Sequence, residues 1–470
     1  MHRCENCGDG FASPRTIDLI KQKVEVRSED IMTKTSKLKF KSLLNSPTIV
    51  RLLAGMGWSL TGEILSKGLL FLSWIIVARL LGKVGYGEFG IIRSTITMFA
   101  MFGGLGLGLT ANKFVAENRS SNKLFAGQII GMTQIFACIS GLILAGLILI
   151  FSHYISITLL KAPSLENELK LTAVMLFFSA MNGAQIGILQ GLEAYKKLAF
   201  LNAIQGITAF PLFALGTYYF GLSGAIFAFA INIIISTILF QIVIQKELKI
   251  KGIVVYFKNV RDTLSVFWSF SLPAALTGIA VSPFKWYSEA LLVKFSGFGN
   301  LGIFQAAIVI TSIVIAIAST LNAPLISIAA NNKGVQSDMK LQYVTMYGSW
   351  YAFLILSVPF LIFPNILIIF FGEQFNDPNL FKTSLLMMLW CGMMLYYQGI
   401  TRIIMLNNSI WFLFSTNIFE GLTLIGAFYY FRNQGVLGLG YAYVLSYVVR
   451  IIISLPYIYY KKLMPNKILF

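Results

Sequence analysis

Charge is what this chain has least of. Only 12% of its 470 residues are charged, against about 25% in an ordinary soluble domain. So few charges cannot cover a water-facing globule of this size, which excludes a soluble fold. Histidine occurs twice and cysteine four times. Cys138 and Cys391 fall inside apolar stretches, where cysteine behaves as a small core residue. Cys4 and Cys7 form a single CxxC, and His2 raises that cluster to three ligands, short of the four a structural zinc site takes. Neither a metal nor another cofactor is therefore expected. The first 47 residues are polar and contain no apolar core of a signal peptide. No G-x4-G-K-[ST] loop, HExxH or GxSxG occurs, which argues against ATP hydrolysis and against the hydrolases those motifs mark.

Apolar residues are abundant instead. They make up 57% of the chain, and mean hydropathy is +0.75. Runs long enough for the roughly 20 residues of a membrane-crossing helix follow one another closely. They fall at 58–81, 89–111, 126–151, 171–191, 198–220 and 222–244, and then at 264–295, 303–327, 347–371, 384–406, 410–431 and 436–460. The expectation is an all-α integral membrane protein of about twelve transmembrane helices in two six-helix lobes. Residues 1–47 form a polar cytoplasmic tail, of which 1–31 are expected to be dispensable. Residues 48–245 form the first lobe, 246–263 a basic linker, and 264–470 the second lobe. The net charge of +18 does not point to nucleic acid, because the basic residues sit between apolar runs. With the N-terminus inside, inner segments hold roughly 25 Lys and Arg and outer loops roughly 6, which fixes both termini in the cytoplasm.

The first run carries Glu63 and Lys67 one turn apart and leaves through GKVGYGEF at residues 82–89. The seventh run leaves through GFGNLGIF at residues 297–304. Both fit G-x4-G-x-F, and each has a basic residue, Arg79 or Lys294, three positions before its first glycine. The two copies hold the same place in two sets of six runs, so the halves read as a parallel repeat. Paired halves with a site between them are a recurrent plan of alternating-access transporters. The seventh run is too long for one straight crossing and contains Pro273 and Pro283, which mark either a cavity-lining break or a packed bend.

Several stretches resemble the polysaccharide, or O-antigen (Wzx-type), flippases of the multidrug/oligosaccharidyl-lipid/polysaccharide (MOP) exporter superfamily. They are ARLLGKVGYGEFG at 78–90, ILQGLEAYKKLAFLN at 188–202, FSLPAAL at 270–276 and SEALLVKFSGFGNLGIFQAA at 288–307. The likeness covers about residues 45–465. It implies a MATE-like, V-shaped alternating-access transporter in the cell inner membrane. The implied cargo is an oligosaccharide on polyprenyl pyrophosphate, flipped from the inner to the outer leaflet. It further implies a coupling ion, H+ or Na+, contact with membrane lipids, and association with polysaccharide polymerase and chain-length machinery. Glu289 stands where the family often has an acidic residue in helix seven. The tail before Met32 departs from the family.

The candidate site residues are the charges inside the apolar runs. Lys67, Lys285, Arg93, Arg450 and Arg402 form a cationic set, with Glu63, Glu289 and Glu420 as coupling or ion-pair partners. A charge at the bilayer centre costs about 2.5–3.5 kcal/mol on insertion scales, so eight of them imply a shared polar interior. The cationic excess suits an anion. Structural readings stand beside this one. Glu63–Lys67 and Lys285–Glu289 are i,i+4 pairs that can neutralise each other. Glu420 and Arg450 suit a bridge between adjacent helices, while Arg93 and Arg402 lie close enough to a surface to snorkel. Lys67 and Lys285 remain the foremost substrate contacts. Three alternatives stay open: a multidrug or cation antiporter, a peptidoglycan-precursor flippase, and a membrane polysaccharide polymerase or ligase. The last wants a large outer loop, and the longest here, about 152–170, is short.

Overall fold

A computed structural model describes residues 47–104, 106–256, 271, 275–276, 279–330, 350–351, 353–355, 357–358, 366–406 and 409–460. The chain divides into two compact units, Met1–Gly57 and Trp58–Phe470. Of the first unit only the helical residues 47–57 are described. The CxxC and Pro273 lie outside the described residues, as do the side chains of Glu63 and Arg402. The fold is all-α, with no strand among the described residues. Its main helices are α1 (Pro47–Gly104), α2 (Leu107–Asn118), α3 (Lys123–Tyr154), α4 (Glu166–Gly191) and α5 (Tyr195–Lys251). They continue with α6 (Ser282–Ala330), α7 (Ile366–Phe371), α8 (Pro378–Leu406), α9 (Ile410–Phe431) and α10 (Val436–Tyr460). Among the described residues, eight helices are long and apolar enough to cross a membrane. Three of these, α1, α5 and α6, are each divided by a non-helical glycine. Eight plus three gives eleven crossing legs among the described residues; the expected crossing at 347–371 lies largely outside them.

The glycines that divide α1 and α6 are the first glycines of the repeated motif. Gly82 has φ 67° and ψ −179°, and Gly297 has φ 79° and ψ 171°. Only a residue without Cβ adopts that backbone cheaply, so the chain can reverse between two crossings with no loop. The second glycine of each copy then meets the other copy. A Cβ on Gly87 would lie 2.0 Å from the Phe298 carbonyl oxygen, and one on Gly302 would lie 1.9 Å from that of Lys83. Phe298 and Lys83 each follow the first glycine of their motif, so the contact is reciprocal. This glycine seam is fastened at one end by Lys83 Nζ, 3.2 Å from Asp377. Beside it Arg79 Nε donates to the Phe370 carbonyl at 2.8 Å, and Arg79 also reaches that of Ile369. These are among the last carbonyls of α7, which lack partners within the helix. A second matched pair, Gly221 (φ 56°, ψ −135°) and Gly435 (φ 58°, ψ −126°), marks the start of the sixth and twelfth crossings.

Several expected boundaries move for local reasons. The second crossing was expected over 89–111; it instead restarts at α2 after Gly106, whose left-handed φ of 67° lets the Ser271 carbonyl approach. The sixth was expected to end at 244 but runs on to Lys251. Buried Glu247 accepts from Lys197 at 2.5 Å and lies 4.0 Å from Lys251, which offsets part of the basic charge of that turn. Gly252, left-handed at φ 62°, then stops the helix. The connector that follows lies on α3, where Gly127 and Gly131 leave room for the Val254 and Tyr256 carbonyls. Pro283 stands in the first turn of α6, where its missing N–H costs nothing. Inside the fold Trp74, Phe89, Phe213 and Phe229 form one aromatic cluster with ring centroids 4.9–6.4 Å apart. It buries the wall behind Arg93.

Candidate functional site

A short way along α1 and α6 from the seam, these two helices line a cavity of about 300 Å³ together with α8 and α10. Arg93, Lys285, Trp286, Glu289, Gln305 and Trp390 are among its walls. Arg93 Nη2 donates to Gln305 Oε1 at 2.6 Å, and Gln305 Nε2 donates to Glu289 Oε2 at 2.9 Å. One amide thus links a cation on α1 to a carboxylate on α6 and satisfies both. The Arg93 guanidinium also lies over the Trp74 ring, 4.9 Å from its centroid. Trp286 Nε1 donates to Thr95 Oγ1 at 2.8 Å, a second tie between the same helices.

Lys285 stands on the next turn of α6 and is held more loosely. Its Nζ is 3.9 Å from Glu420 Oε1 and 5.4 Å from the centroid of Trp390. Its side chain keeps 29% exposure, whereas that of Glu420 keeps 1%. Glu420 is shared with buried Arg450, which also donates to Asn417 and lies 4.2 Å over Tyr397. A buried carboxylate needs such a partner, because desolvation otherwise outweighs what it gains. Arg450 is therefore bound into a buried network, although its Nε has no partner, while Lys285 is more exposed and makes only a long contact to Glu420.

The arrangement differs from the i,i+4 reading. Lys285 reaches across to Glu420 on α9 rather than to Glu289 on its own helix, and Glu289 takes Gln305. The Glu420–Arg450 bridge between α9 and α10 is present. Arg93 turns into the cavity instead of out to a surface. Lys67 is exposed on α1, beside the place where Ser66 packs against Gly206 of α5, and is not among the walls of this cavity. His153, in the last turn of α3, is exposed and meets Glu166 at 3.0 Å.

Inspection of charges alone misses Gln305, Asn417 and the two tryptophans. Gln305 had a signal: it lies three residues past Gly302, as Gly90 lies three past Gly87. The two positions touch, since a Cβ on Gly90 would come within 2.5 Å of Gln305 Cγ. Aligning the two motif copies picks out a polar side chain where the first copy has none.

Solved structures share this architecture. An inward-facing multidrug resistance MATE family transporter of the MOP superfamily aligns with TM-score 0.66 and 16% identity, over 88% of this chain and 99% of that one. A MATE in complex with MaD5 aligns at 0.61 and 16%, over 86% and 94%. A MOP superfamily transporter from Pyrococcus furiosus, described as having reversed binding-pocket polarity, aligns at 0.60 and 17%, over 87% and 95%. The protein is thus a multi-pass membrane protein with the MATE fold. Comparison with curated protein sequences gave no match. The family model described as polysaccharide biosynthesis protein matches residues 52–329, more than half of the chain, and the chain belongs to that family.

Proposed function

We propose that the protein is a flippase carrying polyprenyl-pyrophosphate-linked oligosaccharide from the inner to the outer leaflet of the cytoplasmic membrane by alternating access. The observation that carries this reading is the cavity whose walls hold Arg93, Lys285 and Glu289, with Glu420 and Arg450 behind Lys285. Three cations against two acids favour an anionic ligand, and Glu289 already accepts from Gln305. Linked phosphates suit Arg93 and Lys285: the arginine fork grips two oxygens, while the lysine supplies a mobile point charge. The tryptophan walls suit the apolar faces of sugar rings, and membership of the polysaccharide biosynthesis family supports a glycan cargo. With the N-terminus in the cytoplasm, the glycine seam lies on the outer side and closes the cavity there. Glu63, Glu289 and Glu420 remain the carboxylates for coupling to H+ or Na+.

The test is surface polysaccharide per inserted protein in a strain that lacks the native gene. Removing a charge-assisted hydrogen bond costs about 1.5–3 kcal/mol, so Lys285→Ala should lower export roughly 10- to 100-fold at unchanged abundance. Lys285→Arg should retain part of it. Wild-type export by Lys285→Ala would refute the assignment. Rescue of a peptidoglycan-flippase depletion would instead name a peptidoglycan precursor as cargo. A shift in drug susceptibility alone would name a multidrug exporter, a reading the cationic cavity disfavours.

A further inference from the structure

A second cavity, of about 530 Å³, adjoins the charged one. The two share Met98 and Trp286 as walls. Beyond that boundary the chemistry changes completely. The second cavity is lined by Phe102, Leu144, Leu147, Phe284 and Ile425 among others, and by no charged side chain. Two close glycine contacts shape it. On one side Gly103 of α1 lies against Leu144 of α3, its Cβ position 3.0 Å from Leu144 Cδ1. On the other, Gly421 of α9 lies against Phe284 of α6, its Cβ position 2.2 Å from the ring. The groove is the space left between these two tightly packed pairs. Leu147 stands 39% exposed on α3, so the groove has an open edge on that side.

We infer that this groove holds the first isoprene units of the lipid while its pyrophosphate occupies the cavity of Arg93 and Lys285. The inference rests on the flippase reading above. The adjacency of the two cavities across Met98 and Trp286 is what selects this occupant. Trp286, next to Lys285 in the chain, is a wall of both cavities, and across it the lining changes from charged to apolar. A free nucleotide sugar or a soluble anion would leave the apolar cavity unused. A volume of about 530 Å³ lies within the roughly 300–1,000 Å³ of small-molecule sites, room for the start of a long chain and not for all of it. The rest stays in the bilayer. Bulk lipid is as apolar as the groove, so its contribution is contact and shape: a methyl-branched chain packed between Leu147, Phe284 and Ile425.

The experiment measures binding of two probes to the full-length protein in phosphatidylcholine nanodiscs. The probes are undecaprenyl pyrophosphate, with eleven isoprene units, and isopentenyl pyrophosphate, with one. Leu147→Trp and Ile425→Trp fill the groove from opposite sides, and Leu149→Trp, exposed on the same helix but not a wall, is the control. The ratio of variant to wild type cancels each probe's own partitioning into the bilayer. Filling the groove should weaken undecaprenyl pyrophosphate about tenfold through lost van der Waals contacts and leave isopentenyl pyrophosphate within about twofold. Lys285→Ala should weaken both probes. Unchanged binding of both by the folded Trp variants, or equal weakening of both, would overturn the groove assignment while leaving the flippase reading in place. If wild type binds neither pyrophosphate, the flippase reading fails and the groove assignment with it.

Discussion

Gly302→Ala tests whether the glycine seam is a contact that opens and closes. The added Cβ would sit 1.9 Å from the Lys83 carbonyl oxygen, and real Cβ contacts essentially never fall below 3.0 Å. The seam must therefore part by at least 3.0 − 1.9 = 1.1 Å. The obstructing atom is main chain, so no rotamer change relieves it. Overpacking of this kind costs about 1–3 kcal/mol. Alanine also gains about 1 kcal/mol of helix propensity over glycine, but it does so whether the seam is closed or open. Only the clash distinguishes the two states, and it should shift their equilibrium toward the parted seam by roughly 5- to 150-fold. The reciprocal Gly87→Ala, whose Cβ would lie 2.0 Å from the Phe298 carbonyl, should act in the same direction and to a similar extent. Gly146→Ala, with nothing within 4 Å, is the control. The readout is cross-linking by a short thiol reagent between Val84→Cys and Gly299→Cys, neighbours across the seam, with the four native cysteines replaced. Cross-linking should fall in either alanine variant, by no more than the factor of that equilibrium shift. Undiminished cross-linking in a folded Gly302→Ala protein would show that the reciprocal contact is not what holds the motifs together.

Arg450→Met should lower thermal stability in detergent by about 3–5 kcal/mol, because it leaves buried Glu420 with only the 3.9 Å contact to Lys285; Glu420→Gln in the same protein should recover part of the loss. If Arg450→Met alone is as stable as wild type, the network does not bear on folding. Lys67→Ala should lower surface polysaccharide less than Lys285→Ala does, because Lys67 is exposed and is not a wall of the cavity; an equal or larger loss at near-normal abundance would put Lys67 on the pathway. Reporter fusions after Lys123, Lys197, Lys251 and the C-terminus should report cytoplasm, and those after Lys161 and Arg432 the outside; reversal at two adjacent sites contradicts the twelve-crossing topology.

Much of the fold is legible in the sequence because crossing a membrane is a constraint on length and apolarity, and both are one-dimensional. The last two crossings fall at 410–431 and 436–460 in the sequence and in α9 and α10 alike. The repeated glycine motif was visible too, but not its meaning as two halves of one contact. Partners across helices were harder to see. An i,i+4 rule sees only neighbours on one helix, whereas the partners of Lys285 and Arg93 depend on how α6 is rotated against α9 and α1. Gln305 and Asn417 stayed hidden for a different reason. A neutral amide costs little to place in an apolar run and so leaves no mark in a charge inventory. Its importance comes from being the shape that joins Arg93 to Glu289. The sixth crossing outlasted its apolar run because Glu247 offset the lysines around it, which only the folded arrangement reveals.

A contact made of two like copies has two like edges, and nothing in its symmetry says which edge unzips first. Here drift between the copies has settled that choice. Lys83, after the first glycine of one copy, is bolted to Asp377, and Arg79 beside it is bolted to the end of α7. At the place of Lys83 the other copy has Phe298, which has no charge with which to make a bolt. The seam is consequently a clasp with one locked side and one greasy side. Parting on the Lys83 side must break an ion pair and the Arg79 hydrogen bonds, whereas Phe298 brings no charge to be separated, so the two edges of the seam are unequal.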